Sequence, residues 1–162
     1  MTKQLKVRAG SGADAEIITA LVRELADYEK LLPEAKGTPA DFRRELDAPN
    51  PVIRVLIAEW DGEPAGFALY FFNFSTFVAK QGLYLEDLFV RPAHRAHGIG
   101  RALLRELARI AQARDCGRME WAVLDWNEPA LGFYQTLGAR QMKEWIVHRL
   151  TSAEIAKLAA EH

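Results

Sequence analysis

The stretch from Leu83 to Trp126 constrains the fold more than any other part of the chain. It reads as a strand (LYLEDLFV), a turn with two glycines (RPAHRAHGIG), a one-faced helix and a second strand (MEWAVLDW). In the helix Ile99, Leu103, Leu107 and Ile110 mark an apolar face, and Arg101, Arg105 and Arg109 mark another. Strand, helix and strand in succession predict a parallel pair, because a helical crossover brings the chain back in its original direction.

Upstream, VIRVLIAEW and PAGFALYFF are rich in branched and aromatic residues and are separated only by DGE, which predicts an antiparallel hairpin. The two signals together predict an α/β domain with a mixed sheet. LKVRA reads as a first strand, followed by a helix from near Ala13 with Ile17, Leu21, Leu25 and Tyr28 on one face. Thr38 and Pro39 start a second helix as cap and first helical residue. A short helix over Asn127–Leu137 closes at Gly138, QMKEWIVHRL reads as a last strand, and TSAEIAKLAAEH as a helical tail. With 162 residues and 49% apolar composition, a single domain over residues 1–162 is expected.

Charge narrows the partners. Twenty-one basic and 22 acidic side chains give a net charge of -1, which points to neither nucleic acid nor an anionic membrane. The longest apolar run, FALYFFNF, is too short to span a bilayer, and MTKQLKVRAG lacks the apolar core of a signal peptide. Cys116 is the only cysteine, so no disulfide within the chain is possible, and a reducing, cytoplasmic compartment is expected. No spacing suggests a metal site.

The glycine turn raises the question of an anion. A helix start offers unpaired N–H groups and partial positive charge, and glycine lets a phosphate approach the backbone. Seven arginines between Arg91 and Arg118 face only two acids, Glu106 and Asp115. The turn is neither a P-loop nor a complete dinucleotide fingerprint, since no Gly-Lys-Ser/Thr closes it and it has two of the three glycines. From these residues alone, a turn that holds no ligand is as good a reading as an anion site.

Arg95-Ala-His-Gly98-Ile-Gly100, preceded by LYLEDLFVRP and followed by LDWNEPALGFYQTLGA, resembles the acetyl-CoA-binding segments of the GNAT N-acetyltransferases. ELADYEKL, GFALYFFNFS, LYLEDLFV and WNEPALGFY together resemble the spermidine/spermine N-acetyltransferases and their thialysine-acetylating relatives. The resemblance implies a GNAT-type α/β fold, a mixed and mostly antiparallel sheet with helices on both faces. It implies that Leu88, Phe89 and Val90 pair with the pantetheine arm of acetyl-CoA. Arg95, Ala96, His97, Gly98, Ile99, Gly100 and Arg101 would wrap the pyrophosphate, and Asn127, Glu128, Pro129 and Ala130 would line the same cosubstrate. Tyr134 would be the general acid, Tyr28, Glu29 and Glu86 would bind the amine, and Asp87 would add negative charge. Ala96 departs from the glycine common in the subfamily. The loop RQMKEW is shorter than in the relatives, leaving Glu144 only a candidate contact. Relatives of this kind are commonly dimers, and WIVHRL could serve a homodimer interface or an internal strand equally.

The chemistry agrees with the residues. Amine acetylation needs a neutral amine, and a carboxylate can bind the ammonium and take its proton, directly or through water; Glu86 can do both. On a regular strand Asp87 shares parity with Leu83, Leu85 and Phe89, and Glu86 with Tyr84, Leu88 and Val90, so both acids fall on apolar faces unless a bulge intervenes. A carboxylate in such a place is costly unless it is paired, which favours a site there. The expected function is acetyl-CoA-dependent transfer to a primary amine of a small cationic acceptor, a polyamine, a diamine or a lysine-like amino acid such as thialysine. The alternatives are acetylation of a protein lysine or N-terminus, and a non-catalytic acyl-CoA sensor.

Overall fold

The hairpin around DGE forms as the sequence predicts. β2 (Arg54–Trp60) and β3 (Glu63–Ser75) pair antiparallel across Asp61 and Gly62, both at positive φ, 53° and 85°. Such turns match the right-handed twist of the flanking strands. The computed structural model describes residues 4–161. It places β1 (Leu5–Ala9) beside β2, β4 (Lys80–Val90) beside β3, and β5 (Arg118–Trp121) beside β4. The order is β1-β2-β3-β4-β5, antiparallel except for the parallel β4–β5 pair, as the crossover requires.

The helices are α1 (Ala15–Tyr28), α2 (Pro39–Leu46), α3 (Ile99–Ala113), α4 (Glu128–Thr136) and α5 (Ser152–Ala159). Thr38 caps α2 as expected: its Oγ1 accepts from Asp41 N at 3.3 Å, and its own N–H donates to Asp41 Oδ2 at 2.9 Å. The chain divides into two compact units, Met1–Leu124 and Asp125–His162. The first holds the sheet with α1, α2 and α3; the second holds α4 and α5.

Both faces of the sheet are covered. On one face Ile18 and Leu21 of α1 pack with Val55, Ile57, Phe67, Leu69 and Phe89. Strand alternation turns Leu56, Ala68 and Tyr70 to the opposite face, where α3 buries Ile99, Leu103, Leu104 and Leu107. At one end β3 and β4 approach so closely that a Cβ on Gly66 would lie 2.5 Å from Phe89 O. Arg8 of β1 ties this frame to the start of α1, with Nη2 2.8 Å from Asp14 Oδ1 and Nε 2.7 Å from Glu59 Oε1.

Two expectations are corrected. MEWAVLDW is a strand only over residues 119–121, the end of β5, and QMKEWIVHRL is not a strand: among the described residues none forms after Trp121. The residue types of WIVHRL favour a strand, but a strand exists only where its N–H and C=O groups meet a ladder partner, and propensity does not supply one. Trp145, Ile146 and Val147 are 69%, 78% and 81% exposed.

Candidate active site

The two acids of β4 sit on an irregularity in the ladder. Leu69 of β3 lies opposite Asp87 and Tyr70 lies opposite Leu85, so Glu86 is an extra residue, a β-bulge. The bulge changes the parity expected for a regular strand. Leu83 and Leu85 face α3 with Phe72 and Tyr70, whereas Asp87 and Phe89 face α1 with Leu69 and Phe67. Asp87 therefore does not share a face with Leu83 and Leu85, and Tyr84 comes onto the face of Asp87.

Electrostatics report the consequence. Burial pushes the Asp87 carboxyl up to about 6, helped by the negative charges of Glu86 and Glu29. Burial also raises the carboxyl of Glu29, the residue that follows α1. Burial raises the Tyr84 phenol, with Glu86 and Glu120 adding to it. Tyr84 packs on Phe71 with ring centroids 5.1 Å apart, and it lies opposite Glu120 of β5 in the parallel ladder. The predicted trio Glu29, Glu86 and Asp87 is thus brought together, with an aromatic wall of Phe71 and Tyr84 beside it. Sequence reading missed Phe71, Tyr84 and Glu120, because nothing in YLEDL marks where the extra residue falls.

At the same place the sheet opens. β4 pairs with β5 only from Gly82 to Leu85, while its pairing with β3 runs on to Val90. Between Glu86 and Val90 the other edge of β4 is released from β5, freeing backbone groups over Leu88, Phe89 and Val90 for an extended ligand. One of these groups, Val90 O, accepts from Arg95 Nε at 3.0 Å.

The glycine turn lies just beyond. Gly98 is the N-cap of α3 at φ 74°, with no side-chain cap and nothing within 4 Å of a Cβ built on it. Open space over Gly98 thus adjoins the start of α3, whose first N–H groups have no partner within the helix, a setting that suits an anion. Ala96 is also left-handed, at φ 65°. Ile99 contributes only backbone here, since its side chain is buried in the core. Gly100 is half-buried, and Arg101 is exposed in the first turn of the helix.

The side chains of the turn are engaged with their surroundings. The Arg95 guanidinium lies 4.9 Å from the Tyr28 ring centre and 5.8 Å from that of Phe89. The turn thereby touches a residue predicted for the amine. His97 stacks on Trp60 at 4.5 Å between ring centroids, and its Nδ1 lies 3.0 Å from His94 O. Arg91 fastens β4 to α1, with Nη2 2.8 Å from Glu24 Oε1, and donates from Nη1 to Pro64 O at 2.9 Å. The donor set therefore fits a phosphate-bearing group with an extended arm: a helix start with no side-chain cap, open space over Gly98, and a stretch of β4 beyond its pairing with β5.

The remaining predicted residues belong to the second unit. Asn127 is the N-cap of α4, its Oδ1 accepting from Ala130 N at 3.4 Å; Glu128 opens the helix and Pro129 sits in its first turn. Tyr134 is in the last turn of α4, beside Phe133 at 5.7 Å between centroids, and its carbonyl accepts from Leu137 N and Ala139 N. Glu144 is exposed.

With this geometry in hand, likeness to known proteins is informative. Residues 18–139 match the family described as Acetyltransferase (GNAT) family. The thialysine N-epsilon-acetyltransferase of Sus scrofa is 35% identical over 166 residues, covering 96% of this chain and 97% of that protein. The L-ornithine N5-acetyltransferase NATA1 of Arabidopsis thaliana is 48% identical over 111 residues, 68% of this chain and 46% of that protein. Among solved structures, an integron cassette protein from the mobile metagenome of V. cholerae superposes with a TM-score of 0.81 at 25% identity, over 97% of this chain and 98% of that one. Family match, relatives and fold agree, and the chain belongs to the GNAT acetyltransferase family as an N-acetyltransferase.

Proposed function

We propose that this N-acetyltransferase uses acetyl-CoA to acetylate a primary amine of a small cationic acceptor, a polyamine, a diamine or a lysine-like amino acid such as thialysine. The observation that carries the reading is the acid group on the β4 bulge, Glu86 and Asp87 with Glu29 close by, at the point where β4 leaves β5. Several carboxylates beside an aromatic wall select an acceptor with more than one positive charge. The names of the relatives, which act on thialysine and ornithine, favour the same class.

Acetyl-CoA supplies the activated acetyl thioester. The freed edge at Leu88, Phe89 and Val90 holds the extended arm, and the backbone of Arg95–Arg101 holds the pyrophosphate, with Asn127, Glu128, Pro129 and Ala130 lining the same molecule. Tyr28, Glu29 and Asp87 bind the acceptor. Glu86 accepts the ammonium proton, directly or through water, which leaves the amine lone pair free to attack. Tyr134 Oη keeps a proton for the departing sulfur. The family match runs from residue 18 to 139, across the boundary between the two compact units, which supports one functional domain over residues 1–162. The exposed apolar segment Trp145–Val147 supports a homodimer, and the lone Cys116 supports a cytoplasmic setting.

The test is CoA release from acetyl-CoA with a panel of spermidine, putrescine, thialysine, ornithine, an uncharged primary amine and a lysine peptide. Small polycations should turn over best. Tyr134→Phe and Glu86→Gln should each lower kcat roughly a hundredfold. A preference for the peptide would favour a protein acetyltransferase, and unchanged turnover in Tyr134→Phe would remove the proposed acid.

A further inference from the structure

We infer that Trp60 is a positioning residue for the turn that binds the coenzyme, acting through the ring of His97; this rests on the function proposed above. The turn needs external support. Ala96 and Gly98 are both left-handed, at φ 65° and 74°, and Ala holds such a conformation only where its surroundings require it. The start of α3 has no side-chain cap to fix it.

Two contacts brace the turn. In one, Arg95 donates to Val90 O and covers Tyr28. In the other, His97 lies on Trp60, 4.5 Å between centroids with the rings tilted by 39°. His97 Nδ1 is also 3.0 Å from His94 O, which fixes the ring against the preceding 3-10 turn. An open cavity of about 500 Å³ lies at this contact, lined by Trp60 and His97 themselves together with Glu63, Arg91 and His94.

Trp60 is suited to the task because it stands on a rigid element. It is the last residue of β2, paired with Glu63 across the tight turn and with Leu5 of β1. The next residue, Asp61, is tied to Gln4 by two hydrogen bonds, Asp61 N to Gln4 O at 3.0 Å and Gln4 N to Asp61 Oδ1 at 2.8 Å. A ring anchored this way can hold His97, and hence the backbone N–H groups on either side of it, in the arrangement a diphosphate needs before it arrives. Preorganisation of this kind raises affinity without adding a contact to the ligand.

The experiment compares Trp60→Ala, Trp60→Phe, His97→Ala and the Trp60→Ala/His97→Ala double variant in the full chain. KM and kcat are measured with acetyl-CoA and with S-acetylpantetheine, which lacks the diphosphate; CoA binding is followed by calorimetry and folding by thermal denaturation. Trp60→Ala should raise the acetyl-CoA KM roughly two- to tenfold with kcat nearly unchanged, the range expected for one aromatic contact. The KM for S-acetylpantetheine should not move, Trp60→Phe should restore most of the loss, and the double variant should be no worse than either single one. An unchanged acetyl-CoA KM in Trp60→Ala overturns the inference, as does an equal rise for both thioesters or an effect confined to His97→Ala. If Trp60→Ala does not fold, Trp60→Leu, which removes the aromatic ring and keeps apolar bulk, takes its place under the same criteria. Wild-type protein that binds no CoA would overturn the proposed function, and this inference with it.

Discussion

Asp87 holds a carboxyl that burial, Glu86 and Glu29 push up to about 6, from an ordinary value of 3.8. The native state therefore favours the protonated form. What that form lends to stability is fully present below the unfolded pKa near 3.8 and is lost as the pH rises to about 6. Asp87→Asn, which keeps the shape without the charge, should raise unfolding free energy by ~1–2 kcal/mol at pH 8 and hardly at all at pH 4. Urea unfolding at the two values checks this, and an equal gain at both would be evidence against a buried charge. Catalysis should follow the opposite direction: as Asp87 ionises between pH 5 and 7 the acceptor KM should fall, and the variant should lose that dependence. The identity of the acids was legible in LYLEDLFV, but their arrangement was not. Glu86 forms the bulge only because β3 supplies one residue opposite two, a fact written in the other strand.

At the scale of elements, local chemistry predicted most of what forms. Thr38 caps α2, Asp61–Gly62 turns the hairpin, and the apolar face of α3 enters the core. Gly98 and Gly132 separate two uses of glycine, since a Cβ on either meets nothing within 4 Å. Gly98→Ala should destabilise by ~1 kcal/mol, because φ 74° suits glycine, and should raise the acetyl-CoA KM. Gly132→Ala, inside α4, should stabilise by roughly 0.5–1 kcal/mol, because there the conformation is helical. Chemical denaturation of the two variants checks the opposite signs. The Trp60–His97 contact, in contrast, joins elements 37 positions apart in the chain, and no local pattern announces it.

For the molecule as a whole, the segment Trp145–Leu150 is the unfinished part. Its residues have strand character, yet no strand forms there, and Trp145, Ile146, Val147 and Leu150 are exposed. A homodimer that covers these side chains should appear in sedimentation velocity, and Trp145→Ser with Ile146→Ser should weaken it roughly tenfold or more, as for loss of central apolar anchors. A wild-type monomer at micromolar concentration would count against the dimer. The sequence alone determined the class of fold, the antiparallel sense of the β2–β3 hairpin and the parallel sense of the β4–β5 pair, the glycine turn and the types of residue that carry charge, because these depend on patterns within one or two elements. The tertiary structure decided which face Asp87 occupies, where β4 parts from β5, what braces the turn at His97, and that WIVHRL is not a strand in the chain. Each of these depends on whether a backbone or a ring finds its partner in a distant segment, and hydrogen-bond ladders and ring contacts are settled between segments rather than within them.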